Sequence, residues 1–313
     1  MFKAGKTRGS KTPDGIKISG RVKLDLAVLN ARLPALPPGA PRYLFLGLTS
    51  RCDLACPHCK YSGADVPARK ADMPAGLLER VLGEAAGAGI PRVVFFGGEP
   101  LLYRGLENAV SAAARLGLFT ELDTNGQSLD NARAARLASA GLCAVRISLH
   151  SSSPARHNAL SGKGTFGKAL SAIAAAKRAG LLTYISSCIF SGGLAAGEPE
   201  KLAFFAGQHG VHGLRFLAYS PRSGVSPLPL RLSARLARLA PDGYARTCVP
   251  PGKKKCAALR GELLYADPGG TVKTCPYSSS TLGSLLKNDL KSILRGARFG
   301  RAAGRGFPCQ KSG

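Results

Sequence analysis

An α/β fold, arranged as a partial (β/α)6 barrel of parallel strands, is predicted by three features of the chain. Six short apolar runs recur across residues 43–220, helix-period patterns separate them, and glycines close most of those patterns. Strand, helix, strand repeated six times implies parallel strands joined by right-handed crossovers. A six-unit partial barrel satisfies this most economically; an open doubly wound sheet is the competing arrangement.

The runs are residues 44–48, 93–96, 119–122, 145–149, 182–190 and 214–218. After the first, Leu77, Leu78, Val81, Leu82 and Ala85 recur at helical spacing. Similar patterns fill 106–116, 131–140, 166–179 and 201–208, with Gly117, Gly141, Gly180 and Gly210 near their C-terminal ends. Glycine stops a helix there because it enters the left-handed conformation without strain. Residues 1–42 read as a basic arm or cap, with one or two helical turns over 24–33. Residues 221–247, which begin Pro- and Ser-rich, read as a linker. Residues 248–313 form a second, small α+β module containing Cys248, Cys256, Cys275 and Cys309. In parallel α/β folds the loops leaving the C-terminal strand ends carry the chemistry.

At 313 residues the chain has room for one large domain and a smaller one. No stretch approaches the roughly 18 uncharged apolar residues of a membrane span, and residues 1–17 are basic and polar without a secretory apolar block. The expectation is a cytoplasmic protein with no membrane partner. Nine cysteines, an odd number, then point to metal or redox chemistry rather than a disulfide framework. Lys and Arg number 44 against 18 Asp and Glu, a formal charge of +26 that favours anionic partners. Many of these cations, such as Arg115, Arg133, Arg136 and Lys177, read as solvated helix faces. They lack the interleaved aromatics of a single-strand platform, so nucleic acid is not favoured. Only Lys253, Lys254 and Lys255 form a tight run.

Directly after the first strand, Cys52, Cys56 and Cys59 fall at C-x3-C-x2-C spacing. Three thiolates hold three irons of a four-iron cluster, whereas a complete structural set needs four. A zinc knuckle short of one ligand and three merely buried thiols are the alternatives; zinc prefers paired cysteines or mixed Cys/His sets. The loop resembles the cluster loop of radical S-adenosylmethionine (SAM) enzymes, in which the amino and carboxylate groups of SAM take the open iron. One strand-helix unit further on come Gly97, Gly98, Glu99 and Pro100, at the place of that family's segment against the methionine part of SAM. Two glycines let backbone approach closely. The resemblance implies that Glu99 meets the SAM ammonium, Asn125 and Ser148 at the third and fourth strand ends meet ribose or carboxylate, and Lys168 lies near the carboxylate. An ordinary Asn-Gly turn is the competing reading for Asn125. His58 stands where an aromatic packs near the adenine. His150, His157, His209 and His212 show no metal-like spacing and suggest surface or hydrogen-bonding roles, while Cys143 and Cys188 suggest small buried apolar residues.

The C-terminal C-x13-G-x4-C pattern, Cys256 to Cys275, resembles the opening of SPASM and twitch extensions, which add auxiliary iron-sulfur clusters to such barrels. Asp267, Pro268, Gly269 and Gly270 read as a hairpin turn. The chain lacks the dense C-x2-C-x5-C-x3-C block of a full SPASM region, so at most one auxiliary cluster is implied, on Cys256, Cys275 and Cys309 with Cys248 as fourth ligand. A degenerate module or a zinc site on the same cysteines is the alternative. Taken whole, the resemblance implies reductive SAM cleavage at a [4Fe-4S] cluster to a 5′-deoxyadenosyl radical, fed by an external flavodoxin- or ferredoxin-type donor. Hydrogen is then abstracted from a peptide or protein side chain, or from an anionic small molecule as in a molybdenum-cofactor-cyclase-like enzyme. The first 42 residues are too short for a separate peptide-recognition domain. An iron-sulfur protein without SAM chemistry and an RNA-modifying radical enzyme are the remaining alternatives.

Overall fold

The computed structural model describes residues 41–59, 71–189, 191–218, 246–248, 258, 261–276, 278 and 280–296. All six expected strands form: β1 (Tyr43–Thr49), β2 (Arg92–Gly97), β3 (Phe119–Thr124), β4 (Ala144–Ser148), β5 (Leu182–Ile189) and β6 (Gly213–Ala218). They pair in parallel and in chain order. The helices between them are α1 (Ala75–Gly87), α2 (Leu106–Arg115), α3 (Asn131–Ala140), α4 (Pro154–Ser161), α5 (Thr165–Arg178), α6 (Ser191–Ala195) and α7 (Glu198–Gln208).

Strand order decides between the two arrangements the sequence left open. A doubly wound sheet reverses direction at a switch point and carries helices on both faces. Here the order never reverses among β1 to β6, and α1 meets α2, α2 meets α3, and α3 meets α4's neighbour α5 along one face. The result is a barrel arc that does not close. Strand alternation sorts the side chains. Leu44, Leu46, Leu48, Val93, Phe95, Leu122, Val145, Ile147, Ile185, Leu214 and Phe216 turn to the helices and form the core. The intervening residues face the inside of the arc, and many are polar. Asp123 accepts from Arg146 at 2.8 Å and from Arg215 at 2.7 Å, while Arg146 also pairs with Glu121.

The helices follow their sequence signals closely. Leu77, Leu78, Val81, Leu82 and Ala85 are the buried face of α1, and Gly117, Gly141, Gly180 and Gly210 all take positive φ. Two short helices had no such signal. The inward side of α4 is His157 and Ser161, so it carries no apolar period, and α6 begins Ser-Gly-Gly.

Further strands widen the arc. β7 (Arg246–Cys248) pairs with β6, and β8 (Leu263–Ala266) pairs in parallel with β1, Tyr43 opposite Leu263. The predicted turn is present: Gly270 N–H donates to Asp267 O at 2.9 Å, joining β8 to the antiparallel β9 (Thr271–Lys273). β10 (Thr281–Ser284) and α8 (Leu290–Arg295) follow, α8 resting on α1. The sheet therefore runs β10-β9-β8-β1-β2-β3-β4-β5-β6-β7. The C-terminal strands lie in the same sheet as the barrel strands.

Candidate functional site

The cysteine loop leaves the C-terminal end of β1, and its first residues are fastened before the first thiol. Thr49 Oγ1 donates to Asp72 Oδ1 at 2.5 Å and accepts Arg51 N–H at 3.0 Å. The Arg51 guanidinium grips both Asp72 oxygens, at 3.0 and 2.6 Å, and donates to Leu102 O at 2.7 Å. Such a two-point pair fixes direction as well as distance. Burial opposes ionisation of Asp72, but the hydrogen bonds from Arg51 and Thr49 prevail and hold its carboxyl below the ordinary range.

Gly97 and Gly98 make a close approach, although what approaches is protein backbone. Gly98 N–H donates to Thr49 O and Glu99 N–H to Arg51 O, both at 2.7 Å. A Cβ on Gly98 would lie 2.2 Å from Arg51 O, and one on Gly97, where φ is +136°, 2.5 Å from Thr49 O. The glycine pair thus lets the loop after β2 hydrogen-bond to the root of the cysteine loop. Glu99 is 1% exposed. Its Oε1 accepts from Leu101 N–H at 3.0 Å and Thr124 Oγ1 at 2.6 Å, and its Oε2 accepts Asn125 N–H at 2.7 Å. Burial pushes its carboxyl up to about 7 against those three donors. In this structure Glu99 joins the ends of β2 and β3, with Pro100 buried beside it at the start of a 3-10 turn.

Asn125 completes the clasp, its Nδ2 donating to Asp53 Oδ1 at 2.7 Å and lying 3.9 Å from Cys52 Sγ. Cys52, Cys56 and Cys59 are half-buried, and Cys56 Sγ donates to Ser161 O at 3.9 Å. Burial pushes Cys52 up to about 12; Leu54 N–H opposes this, while Glu99, Asp53 and Cys59 add to it. Burial and then Cys59 raise Cys56. Cys52 and Cys56 are each raised by burial and by the neighbouring Cys59, a cost that a cationic iron centre relieves, since metal ligation deprotonates a thiol outright. The donor set therefore fits a cluster.

The other side of the loop is neutral. His58 meets His150, the residue two beyond β4, edge to face at 4.7 Å between ring centres, and His150 stacks on His157 of α4 at 5.7 Å. Both inner histidines accept from backbone: Cys188 N–H donates to His150 Nδ1 and His150 N–H to His157 Nδ1, each at 3.1 Å. Burial lowers His58 and places His150 well below the ordinary imidazole range; burial, then the nearby His58, lowers His157 to about 4. Ligand atoms of His58, His150 and Cys188 lie within 4.8 Å of one another. Metal binding there conflicts with the hydrogen bonds. His150 Nδ1 already accepts an N–H, so its Nε2 carries the proton, and coordination through either nitrogen would break the bond to Cys188.

Beyond His150 opens a cavity of about 380 Å³ lined by Ser151, Leu160, Cys188, Ile189, Leu202 and Phe216 among others. Ser148 ends β4 half-buried, opposite Ser186. Lys168 is exposed on α5. Cys143 is buried as expected, but Cys188 is half-exposed at the cavity wall. Cys275 follows β9, half-buried; Cys256, Cys309 and the Cys248 side chain lie outside the described residues. Sequence reasoning missed Arg51, Asp53, Asp72 and Thr124, and gave His150 no role in the site. Thr124 and His150 had a signal, their place at the C-terminal ends of β3 and β4.

Comparison with known proteins agrees with this geometry. Residues 46–201 match the radical SAM superfamily. The PqqA peptide cyclase of Streptomyces rochei is 28% identical over 298 residues, covering 87% of this chain and 81% of that protein. Streptococcus suis SuiB bound to S-adenosylmethionine superposes with a TM-score of 0.68 at 17% identity, over 89% of this chain and 71% of SuiB. AnSMEcpe with bound AdoMet and Cp18Cys peptide gives 0.65 at 18%, over 85% and 84%. The chain belongs to the radical SAM superfamily and is an enzyme of that class. Among the described residues no helix is long and apolar enough to cross a membrane.

Proposed function

We propose that this enzyme cleaves SAM reductively at a [4Fe-4S] cluster and acts on a peptide or protein side chain. The carrying observation is the clasped loop: three half-buried thiols, fastened by the Gly97–Gly98 backbone and by Asn125, at the mouth of the arc. Cys52, Cys56 and Cys59 would hold three irons. With SAM on the fourth, the pair supplies a 5′-deoxyadenosyl radical that takes a hydrogen atom from substrate. The protein's task is orientation and exclusion of water. Thr49, Arg51 and Asp72 fix the loop root, His58 walls its far side, and Ser148 and Asn125 offer hydrogen bonds at neighbouring strand ends.

A peptide substrate draws support from relatives whose names include a peptide cyclase and complexes with precursor peptide SuiA and Cp18Cys peptide. The net charge of +26 suits an acidic leader. A flavodoxin- or ferredoxin-type donor, in a reducing cytoplasm, would supply the electron. Cys256, Cys275 and Cys309, with Cys248, would hold one auxiliary cluster in a shortened SPASM-like module. Anaerobic reconstitution with SAM and dithionite is expected to yield 5′-deoxyadenosine; an iron-loaded protein that yields none sinks the reading. A Cys52/Cys56/Cys59→Ala variant is expected to keep about four irons if the C-terminal cysteines ligate a cluster.

A further inference from the structure

The turn between α4 and α5 is tied to the cysteine loop twice. Ser161, the last residue of α4, accepts from Cys56 Sγ at 3.9 Å. At the start of α5, Thr165 O accepts from Gln127 Nε2 at 3.3 Å, and Gln127 N–H donates to the side chain of Asn125, which itself reaches Asp53 of the loop. The turn is also pinned within itself: Thr165 Oγ1 donates to Gly162 O at 2.6 Å, and Asn158 Oδ1 accepts Phe166 N–H at 3.0 Å. Residues 162–164 are exposed, so the chain reaches solvent one residue beyond its contact with the Cys56 thiol.

This helical hairpin is basic without compensation. Residues 154–178 hold Arg156, Lys163, Lys168, Lys177 and Arg178 and no acid. Three of these cations are engaged: Arg156 pairs with Glu198, Lys177 donates to His209 O and Arg178 donates to Asn131 Oδ1. Lys163 and Lys168 are exposed and meet no ion-pair or hydrogen-bond partner among the described residues. The other sides of the loop differ. Toward β2 the exposed acids Asp53 and Asp72 stand with Arg51 and Arg104, and toward β5 lies the largely apolar cavity wall. Electron transfer through protein falls off steeply with distance, so a carrier that reduces an iron-sulfur group enters at the surface nearest its ligands. Unbalanced charge at that surface selects a carrier of opposite sign and speeds its encounter.

We propose that the α4–α5 turn, with Lys163 at its tip, is the docking surface for an acidic one-electron carrier protein, whose electron enters beside Cys56. This rests on Cys52, Cys56 and Cys59 holding the cluster. The carrier is oxidised by one electron, the iron-sulfur group is reduced by one, and no bond or proton moves. Electron-transfer encounters are the smallest class of protein interface, so one or two lysines carry a large share of the attraction.

The test separates docking from chemistry. A purified acidic flavodoxin serves as the carrier and photoreduced 5-deazariboflavin as a small uncharged reductant; calorimetry on the reconstituted holoenzyme gives the dissociation constant for oxidised flavodoxin. Lys163→Glu is expected to weaken flavodoxin binding about three- to tenfold at low salt and to slow flavodoxin-driven 5′-deoxyadenosine release alongside. Release driven by deazariboflavin should keep the wild-type rate, and both flavodoxin effects should shrink as salt rises. Arg178→Glu makes the same charge change about 22 Å further along the hairpin and should lose little. Carbodiimide, which joins a lysine to a carboxylate in direct contact, should link flavodoxin through Lys163. Wild-type flavodoxin binding and rate in Lys163→Glu overturn the proposal, and so does an equal loss in Arg178→Glu, which would make the effect one of net charge. Equal slowing with both reductants overturns it by placing Lys163 in the reaction site or the fold. Poly-glutamate that binds as tightly as flavodoxin, with the same dependence on Lys163, overturns it in favour of an acidic peptide. Wild type that releases no 5′-deoxyadenosine with deazariboflavin refutes the radical SAM reading, while calorimetry and cross-linking still decide the docking surface.

Discussion

The two flanks of the cysteine loop are built from opposite chemistry. Toward β2 and β3 it is held by charges and backbone: Arg51 on Asp72, Glu99 under Thr124 and Asn125, and two main-chain bonds from Gly98 and Glu99. Toward β4 and β5 it meets neutral imidazoles and an apolar cavity. The difference follows from backbone spacing. At Gly97 and Gly98 the chains come too close for a Cβ, so main-chain groups satisfy one another there; at His58 and His150 rings meet edge to face, and side chains define the contact. One flank is polar and fixed in orientation, and the other presents neutral rings and an apolar wall.

The largest test of this contrast is Gly98→Ala. Its Cβ would meet Arg51 O at 2.2 Å, a backbone atom that no rotamer change can move. A loss of about 3 kcal/mol in urea unfolding is expected, with iron retention after reconstitution falling alongside; unchanged values would show that the clasp is not rigid. Next is Glu99, whose folded value near 7 lies above its ordinary 4.5. Between those values the unfolded chain is ionised and the folded chain protonated, so folding takes up a proton. Stability from this group is complete below about 4.5 and is lost as pH rises through about 7. Glu99→Gln should flatten that slope in the cluster-free protein, read from urea midpoints at pH 5 and pH 8.

A smaller effect is expected on the neutral flank. His157→Phe removes the acceptor of the buried His150 N–H and should cost about 1.5 kcal/mol while leaving the iron content of the loop unchanged. Parallel loss of iron would show that the flanks are coupled. Smallest is Lys168→Ala: the side chain is exposed, so stability should stay within about 0.5 kcal/mol and SAM affinity should hold. A tenfold weaker affinity would bring this lysine back as a carboxylate contact.

What the sequence disclosed follows the range of the forces involved. The six barrel strands and five of the helices were legible because apolar period is local, as in Leu77, Leu78, Val81, Leu82 and Ala85. The thiols were legible because a cluster loop packs its ligands into eight residues. The service of Gly98 to Arg51 was hidden, since the partners are 47 positions apart and only the β1 to β2 pairing brings them together. α4 was hidden because its buried face is His157 and Ser161. β8 was implied as one side of the hairpin at 267–270, but its parallel pairing with β1 was hidden by the distance in sequence between the partners.

β8 also sets a schedule. Tyr43 pairs with Leu263, so during synthesis the strand that launches the cysteine loop stays an unprotected edge until more than two hundred further residues have left the ribosome. Long-range pairings form late and leave nascent edges open to wrong partners. The root of the cysteine loop therefore meets its β2 neighbour early and β8 on its other edge late.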